Sequence, residues 1–176
     1  MQVPLVMTII GPDRTGLVES IARAVAEQGG NWLESRMCRL GGEFAGILQV
    51  EVPPANKAAL LTALEKLQSN SLQIVVRADQ PVPAAVAGKQ IKLEILGADH
   101  PGIVREISAA LARAGVNVEE LASELVSAPM SGETMFRAVV RLHLPEKCDL
   151  AVLKRDLEKI AADLLVDVSF ADVPGK

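Results

Sequence analysis

The chain has 176 residues and a net charge of −4, from 18 basic and 22 acidic side chains. Apolar types make up 49% of it, which favours a packed globular protein over a disordered chain. It has no Tyr, one Trp, three Phe and no run of basic residues. Because nucleic-acid surfaces need basic side chains and often aromatic platforms, direct binding of DNA or RNA is not expected. No apolar run approaches the roughly 18 residues of a membrane span, so no membrane partner is expected either.

The two cysteines, Cys38 and Cys148, are far apart and belong to no CxxC motif or Cys/His cluster. They are typical of ordinary thiols in a reducing compartment. The apolar start of the chain, MQVPLVMTII, lacks the basic region of a signal peptide. We therefore expect a cytoplasmic protein with no metal site and no cofactor.

An internal duplication is the strongest feature of the sequence. IGPDRTGLV at residues 10–18 matches LGADHPGIV at 96–104, an offset of 86. FAGILQVEVP at 44–53 matches FRAVVRLHLP at 136–145, an offset of 92. The six extra residues of the second copy fall around residues 127–132, a turn-rich stretch, so the insertion is expected to leave the flanking strands intact.

In chain order, the first copy predicts a strand, a helix, two strands joined by a turn, a second helix and a last strand. The helix carries apolar residues at helical spacing and ends at Gly29-Gly30, where glycine can adopt a positive φ. The turn between the two middle strands is placed at Gly41-Gly42. The six elements are expected near residues 5–10, 17–28, 31–40, 44–52, 60–67 and 72–77.

The second copy predicts the same six elements in the same order. In its first strand Ile91, Leu93 and Ile95 alternate with Lys92 and Glu94, so one face is expected to be buried and the other wet. Gly115 is expected to end its first helix. The elements are expected near residues 90–96, 103–114, from 117, 136–144, 150–164 and 165–170.

The order βαββαβ, found twice, predicts an α+β protein made of two ferredoxin-like domains. Each has an antiparallel four-stranded sheet with both helices on one face. The two domains are predicted at residues 1–79 and 90–176. Residues 80–89, with two prolines and a glycine, are expected to form a linker.

The first loop of each copy carries a pattern, Gly-x-Asp-x-[Pro/Thr]-Gly-[Leu/Ile]-Val, and an asparagine opens the second strand. A βαββαβ unit with these features resembles the ACT domain family, small regulatory modules that bind amino acids. Two such modules with little else resemble the tandem-ACT repressors of the glycine cleavage genes.

The resemblance implies a regulator rather than an enzyme. It implies effectors lodged near the first loop, domains that pair, a homodimer, and glycine or serine as the ligand. It also implies action on a LysR-type transcriptional activator, without direct contact to DNA.

The predicted ligand-binding residues lie in these loops and at the start of the second strands. A helix N-terminus supplies free amides and a positive dipole for the carboxylate of an amino acid, and Asp and Asn side chains can meet its ammonium group. The set is Asp13, Arg14, Gly16, Leu17 and Asn31 in the first copy, and Asp99, His100, Gly102, Ile103 and Asn117 in the second.

Structural roles for the same residues remain open. Asp13 and Asp99 could cap the helices, and Gly16 and Gly102 could let helix and strand pack closely. Asn31 and Asn117 could serve turns. Pro101 is expected at the first helical position.

His100 differs from its counterpart Arg14, so the two copies need not share a ligand. Its side chain could titrate near neutrality and act as a switch, or be an ordinary exposed loop residue.

Two other functions compete with amino-acid sensing. The chain could be a scaffold of the same fold that binds a protein partner and no small molecule. It could also be a small enzyme with Asp99 and His100 as acid and base, although adjacent loop residues usually point apart and no third orienting group is evident.

Overall fold

The computed structural model describes residues 2–68, 71–78, 87–128 and 132–172. The chain divides into two compact units, Met1–Val82 and Pro83–Lys176. Of the expected linker, residues 80–86 lie outside the described residues. Gly88 and Lys89, also expected in the linker, already belong to a strand, because their backbones pair with Pro145 and Leu144.

The first unit has the predicted order of elements. They are β1 (Val3–Pro12), α1 (Leu17–Glu27), β2 (Asn31–Leu40), β3 (Glu43–Val52), a short 3₁₀ turn (Pro54–Asn56), α2 (Lys57–Leu67) and β4 (Gln73–Ala78). The sheet order is β2-β3-β1-β4, with every neighbouring pair antiparallel. The turn between β2 and β3 is Gly41-Gly42, as predicted, and both glycines have positive φ.

The second unit repeats this plan. Its elements are β5 (Gly88–Ala98), α3 (Ile103–Arg113), β6 (Asn117–Ser127), β7 (Thr134–Pro145), α4 (Leu150–Asp163) and β8 (Val166–Asp172). The sheet order is β6-β7-β5-β8, again antiparallel throughout. The predicted fold class, two ferredoxin-like βαββαβ domains, is therefore confirmed. Of the expected insertion loop, residues 129–131 lie outside the described residues.

Each unit buries one sheet face under its two helices. In the second unit Ile91, Leu93 and Ile95 of β5 join alternate residues of β7 and the apolar stripes of both helices in one cluster. Leu93 and Leu142 are completely buried. The first unit has the matching cluster around β1 and β3. Alternation along the strands thus places the helices, because only one side of each sheet is apolar enough to receive them.

The other face of each sheet is not covered by a helix of its own unit, and the two open faces differ. In the first unit Ile47 and Val75 flank Thr8 in one cross-strand row, and both aliphatic side chains are about half exposed. The same face of the first unit also carries the ion pair Arg36–Glu34 at 2.9 Å. In the second unit the open face carries more ion pairs. They are Lys92–Glu94 at 2.5 Å, Arg137–Glu124 at 3.1 Å and Arg141–Glu120 at 3.3 Å.

Both units carry the same irregularity where their second strand meets the third. The register of β2 against β3 shifts between Trp32 and Glu34, and that of β6 against β7 shifts between Val118 and Glu120. One extra residue, Leu33 or Glu119, therefore stands in each bulge. A bulge at matching positions of both copies is a feature of the fold rather than an accident of one strand.

Replacing Leu93 by Ala removes a fully buried side chain from β5. We expect this to lower the free energy of unfolding by about 2–5 kcal/mol, from lost burial and a residual cavity. The matched control is Leu96→Ala on the open face of the same strand, where the side chain is 40% exposed. Its loss should stay under about 1 kcal/mol. Equal losses in urea denaturation of the two variants would contradict the assignment of the faces.

Candidate functional site

Each first loop enters its helix through a glycine with a positive φ, 86° at Gly16 and 107° at Gly102. A Cβ built on either glycine meets no atom within 4 Å. The expectation that these glycines allow close packing of helix and strand is therefore wrong. Their role is conformational, because L-residues with a side chain rarely adopt such a φ.

Close packing is instead the role of the glycine at the start of each motif. A Cβ on Gly11 would lie 2.5 Å from the carbonyl oxygen of Ser71, and one on Gly97 would lie 2.6 Å from Cα of Val166. Both neighbours are backbone atoms, so neither site accepts a side chain without movement. The glycines fix the end of the first strand against the entry to the last strand.

Neither α1 nor α3 has its N-terminus capped by a side chain of the described residues. The expectation that Asp13 and Asp99 cap these helices is wrong, because the positive-φ glycine occupies the cap position in each. α4 differs, since Asp149 accepts hydrogen bonds there from the amides of Ala151 and Val152 at 2.9 and 3.2 Å. The first-turn amides of α1 and α3 thus keep donors and a positive dipole that an anionic group could use.

Pro101 lies outside its helix. It was expected at the first helical position, but α3 begins at Ile103 and Gly102 stands between them. The strongly positive φ of Gly102 is needed to turn the chain into the helix, which moves the proline one residue further out.

Backbone hydrogen bonds hold the start of each loop against the hairpin between the second and third strands. The amide of Asp13 donates to the carbonyl of Gly42 at 2.9 Å, and the amide of Asp99 donates to that of Thr134 at 3.4 Å. The carbonyls of Gly16 and Gly102 accept the first helical hydrogen bonds at the other end. Each loop is thereby held at both ends, and the middle residues of the first loop are exposed to solvent.

The acidic residue of the first loop is already engaged. Oδ2 of Asp13 lies 2.8 Å from Nε of Arg39, near the end of β2. Arg14 is exposed. The ion pair between Asp13 and Arg39 is on the surface, so it contributes little to stability. It does place the guanidinium of Arg39 beside the loop. Sequence reasoning missed Arg39, since nothing in its local pattern links it to a loop 26 residues earlier.

The second loop has a different contact. Nδ1 of His100 lies 3.1 Å from the carbonyl oxygen of Pro101, and Nε2 lies 2.6 Å from that of Leu164. Both carbonyls raise the pKa of His100 above its ordinary value of 6.5, Leu164 more than Pro101, with a further contribution from the Asp99 carboxylate. Partial burial acts in the opposite direction. Leu164 could not be found from the sequence, because it is 64 residues away.

The structure does not bring the predicted asparagines to these loops within a unit. Asn31 pairs with Glu51, while the first loop follows Pro12, which pairs with Glu43 at the other end of β3. Eight residues of strand correspond to roughly 26 Å. Asn117 likewise pairs with His143, far from the Thr134 end where the second loop lies. Loop and asparagine therefore do not form one site inside either unit.

Leu17 and Ile103 have their side chains in the cores, 4% and 2% exposed. Only their backbone groups remain for a ligand. Grooves of about 630 Å³ and 460 Å³ run between the two helices of the first and second unit, but neither is lined by a residue of the loops. The residues that the structure gathers at each loop are Asp13, Arg14 and Gly16, and Asp99, His100 and Gly102.

The ACT domain family matches the chain twice, over residues 3–77 and 89–171. The chain belongs to the ACT domain family. Each of its two ACT domains corresponds to one βαββαβ unit, and the two loops occupy the same place in both.

Two relatives of this chain are named as transcriptional repressors. The glycine cleavage system transcriptional repressor of Escherichia coli strain K12 is 26% identical over 91% of this chain and 85% of its own length. The same protein of Shigella flexneri matches equally. A crystal structure of an unknown protein from Galdieria sulphuraria is 29% identical, with a TM-score of 0.86 over 98% of this chain and 99% of its own.

A crystal structure of a proposed glycine cleavage system transcriptional repressor shares the fold of this tandem ACT protein. Its TM-score is 0.68 at 19% identity, over 98% of this chain and 99% of its own. Among the residues that the structure describes, none of the helices combines the length and apolar character needed to cross a membrane.

Replacing Gly16 by Ala forces a side chain into the left-handed region. We expect a loss of about 1–2 kcal/mol in the free energy of unfolding, and the same for Gly102→Ala. Gly16→Asn is the matched control, because Asn tolerates this region better and should lose less. Thermal unfolding should rank the stability of the chain with Gly at this position above that with Asn, and that with Asn above that with Ala. An alanine variant as stable as the parent would show that the turn relaxes to a negative φ.

Proposed function

We propose that this ACT protein senses a small amino acid, glycine or serine, at the loops between β1 and α1 and between β5 and α3. The observation that carries the proposal is the repeated entry into an uncapped helix through a positive-φ glycine. The first-turn amides point their donors toward a position that a carboxylate can occupy. The same arrangement in both copies supports up to two ligands per chain.

The polar side chains of each loop would then select the rest of the ligand. In the first loop Asp13 and Arg39 form an ion pair that an amino acid could meet with its ammonium and carboxylate groups. In the second loop Asp99 is exposed beside His100. Because the charged groups differ, the two loops are expected to bind with different affinities.

The regulatory output is proposed to pass through a protein. The relatives named as glycine cleavage system transcriptional repressors support a negative role in transcription of those genes. The net charge of −4 supports a partner other than nucleic acid, and we infer a LysR-type activator. We also propose that the protein forms a homodimer and is located in the cytoplasm.

A ligand-free scaffold is the second candidate. It is favoured by the engagement of Asp13 with Arg39 and by the distance of Asn31 from the loop. Groups that were expected to meet the ammonium of an amino acid are thus paired or far away. In this case the open sheet faces would serve a protein partner alone.

Catalysis by Asp99 and His100 has less support. Both ring nitrogens of His100 face carbonyl oxygens, so neither offers a lone pair to a substrate proton. The named relatives are regulators. The geometry of the loop therefore favours binding over acid–base chemistry.

Isothermal titration calorimetry with glycine, serine, alanine and larger amino acids tests the sensing proposal. Val18 and Val104 occupy matching exposed positions in the first turns of α1 and α3, each 42% exposed. Val18→Glu and Val104→Glu place a like charge beside the proposed carboxylate site. We expect each to weaken binding at its own loop by about fivefold, corresponding to ~1 kcal/mol of surface repulsion.

Val18→Gln and Val104→Gln are the controls, since they have nearly the same shape without the charge. They should keep the affinity of the parent chain. Absence of heat with every amino acid at millimolar concentration would favour the scaffold. Equal effects of Glu and Gln would place the ligand elsewhere.

The proposed route of action predicts no direct contact with DNA. In fluorescence anisotropy, a duplex carrying a glycine cleavage control region should show no saturable change with this protein alone. The protein should change the signal only when the purified LysR-type activator is already bound, and glycine should reduce that change. Saturable binding of the protein alone, weakened by added salt, would overturn this part of the proposal.

A further inference from the structure

His100 joins two segments of the second unit that the chain keeps far apart. The ring stands in the loop before α3, and its Nε2 lies 2.6 Å from the carbonyl of Leu164, just after the last residue of α4. That carbonyl belongs to the last turn of the helix, where backbone acceptors lack helical partners and the dipole is negative. The helix end is thus a favourable place for a cation.

The two contacts of the ring demand two protons. A neutral imidazole carries one N–H, and its other nitrogen presents a lone pair. Here both nitrogens face carbonyl oxygens, which only accept. Either neutral tautomer would set a lone pair against an oxygen, whereas the imidazolium donates to both.

We propose that His100, as an imidazolium, is a positioning residue that fastens the β5–α3 loop to the C-terminal end of α4, and that deprotonation of the ring weakens this contact. The contact also bears on the start of β8, because Leu165 follows at a positive φ of 54° and leads into that strand. One side chain therefore joins the loop to the helix end that leads into this strand.

The charged group that acts on the ring favours its protonated form. Asp99 acts on it from the same loop. The segment that presents Leu164 carries Asp163 and Asp167 and no basic residue from 160 to 168. On α3, Arg105 pairs with Glu106 beside it.

The sign of the pH dependence follows from a pKa of His100 that is raised in the folded state. The stabilisation by the contact is complete below the unfolded-chain pKa of about 6.5 and is lost as the pH rises through the higher, folded pKa. The contact is therefore strongest below the unfolded-chain pKa and weakens as the pH rises through the higher pKa of the folded chain.

The first unit has no such response. Arg14 takes the place of His100 there and keeps its charge over the whole range. If the loops bind amino acids as proposed, only the second would change its affinity with pH. That consequence rests on the proposed function, but the contact itself does not, and its test needs no ligand.

The chain has two histidines, so both imidazoles can be followed separately by NMR. His100→Gln removes one signal and assigns it. We expect the His100 ring in the parent chain to titrate above 6.5. A titration at or below that value would overturn the proposal without the use of any variant.

Thermal unfolding of the full chain from about pH 5.5 to about 8.5 provides the second readout. The parent should lose stability as the pH rises through the His100 titration, and His100→Gln should lack this component. His100→Arg keeps a permanent donor of positive charge, so it should restore the contact and remove its pH dependence. His143→Gln removes the other imidazole and is the matched control, and it should keep the component that His100→Gln removes. An identical pH dependence in the parent and His100→Gln would show that the ring does not hold the loop.

Discussion

The positive φ of Gly16 and Gly102 is the constraint on which the rest of each ACT domain depends. An inner strand of the sheet must turn within four residues into a helix lying on the face of the same sheet. Only glycine makes that turn without strain. The same turn places a glycine where a capping side chain would stand. This conformational requirement therefore leaves the first amides of the helix without a side-chain acceptor in the part of the chain that the structure describes. The binding site that we propose at each loop is thus a by-product of how the chain returns to its own core.

Much of this architecture could be predicted because it rests on local signals. Alternation in β5, helical spacing in α1 and α3, and the paired glycines at 41–42 each report on neighbours a few residues away. The duplication strengthened the signals for strands and helices, because both copies carry the same pattern.

The rest could not be predicted because it depends on register between distant segments. The contact of His100 with Leu164, the ion pair of Asp13 with Arg39 and the bulges at Leu33 and Glu119 arise only when strands are aligned in space. The expected grouping of Asn31 with the first loop fails for the same reason. The motif is contiguous in sequence, but the antiparallel strands carry its two parts to opposite ends of the sheet.

The open sheet faces of the two units differ in their sensitivity to the surrounding solution. The ion pairs on the open face of the second unit are weakened by added salt, because dissolved ions screen exposed charges. The screening length is about 8 Å at physiological ionic strength. The interactions of the exposed aliphatic side chains Ile47 and Val75 in the first unit depend instead on temperature and on co-solvents that alter the hydration of hydrocarbon. The open faces of one duplicated fold therefore respond in different proportions to salt and to co-solvents.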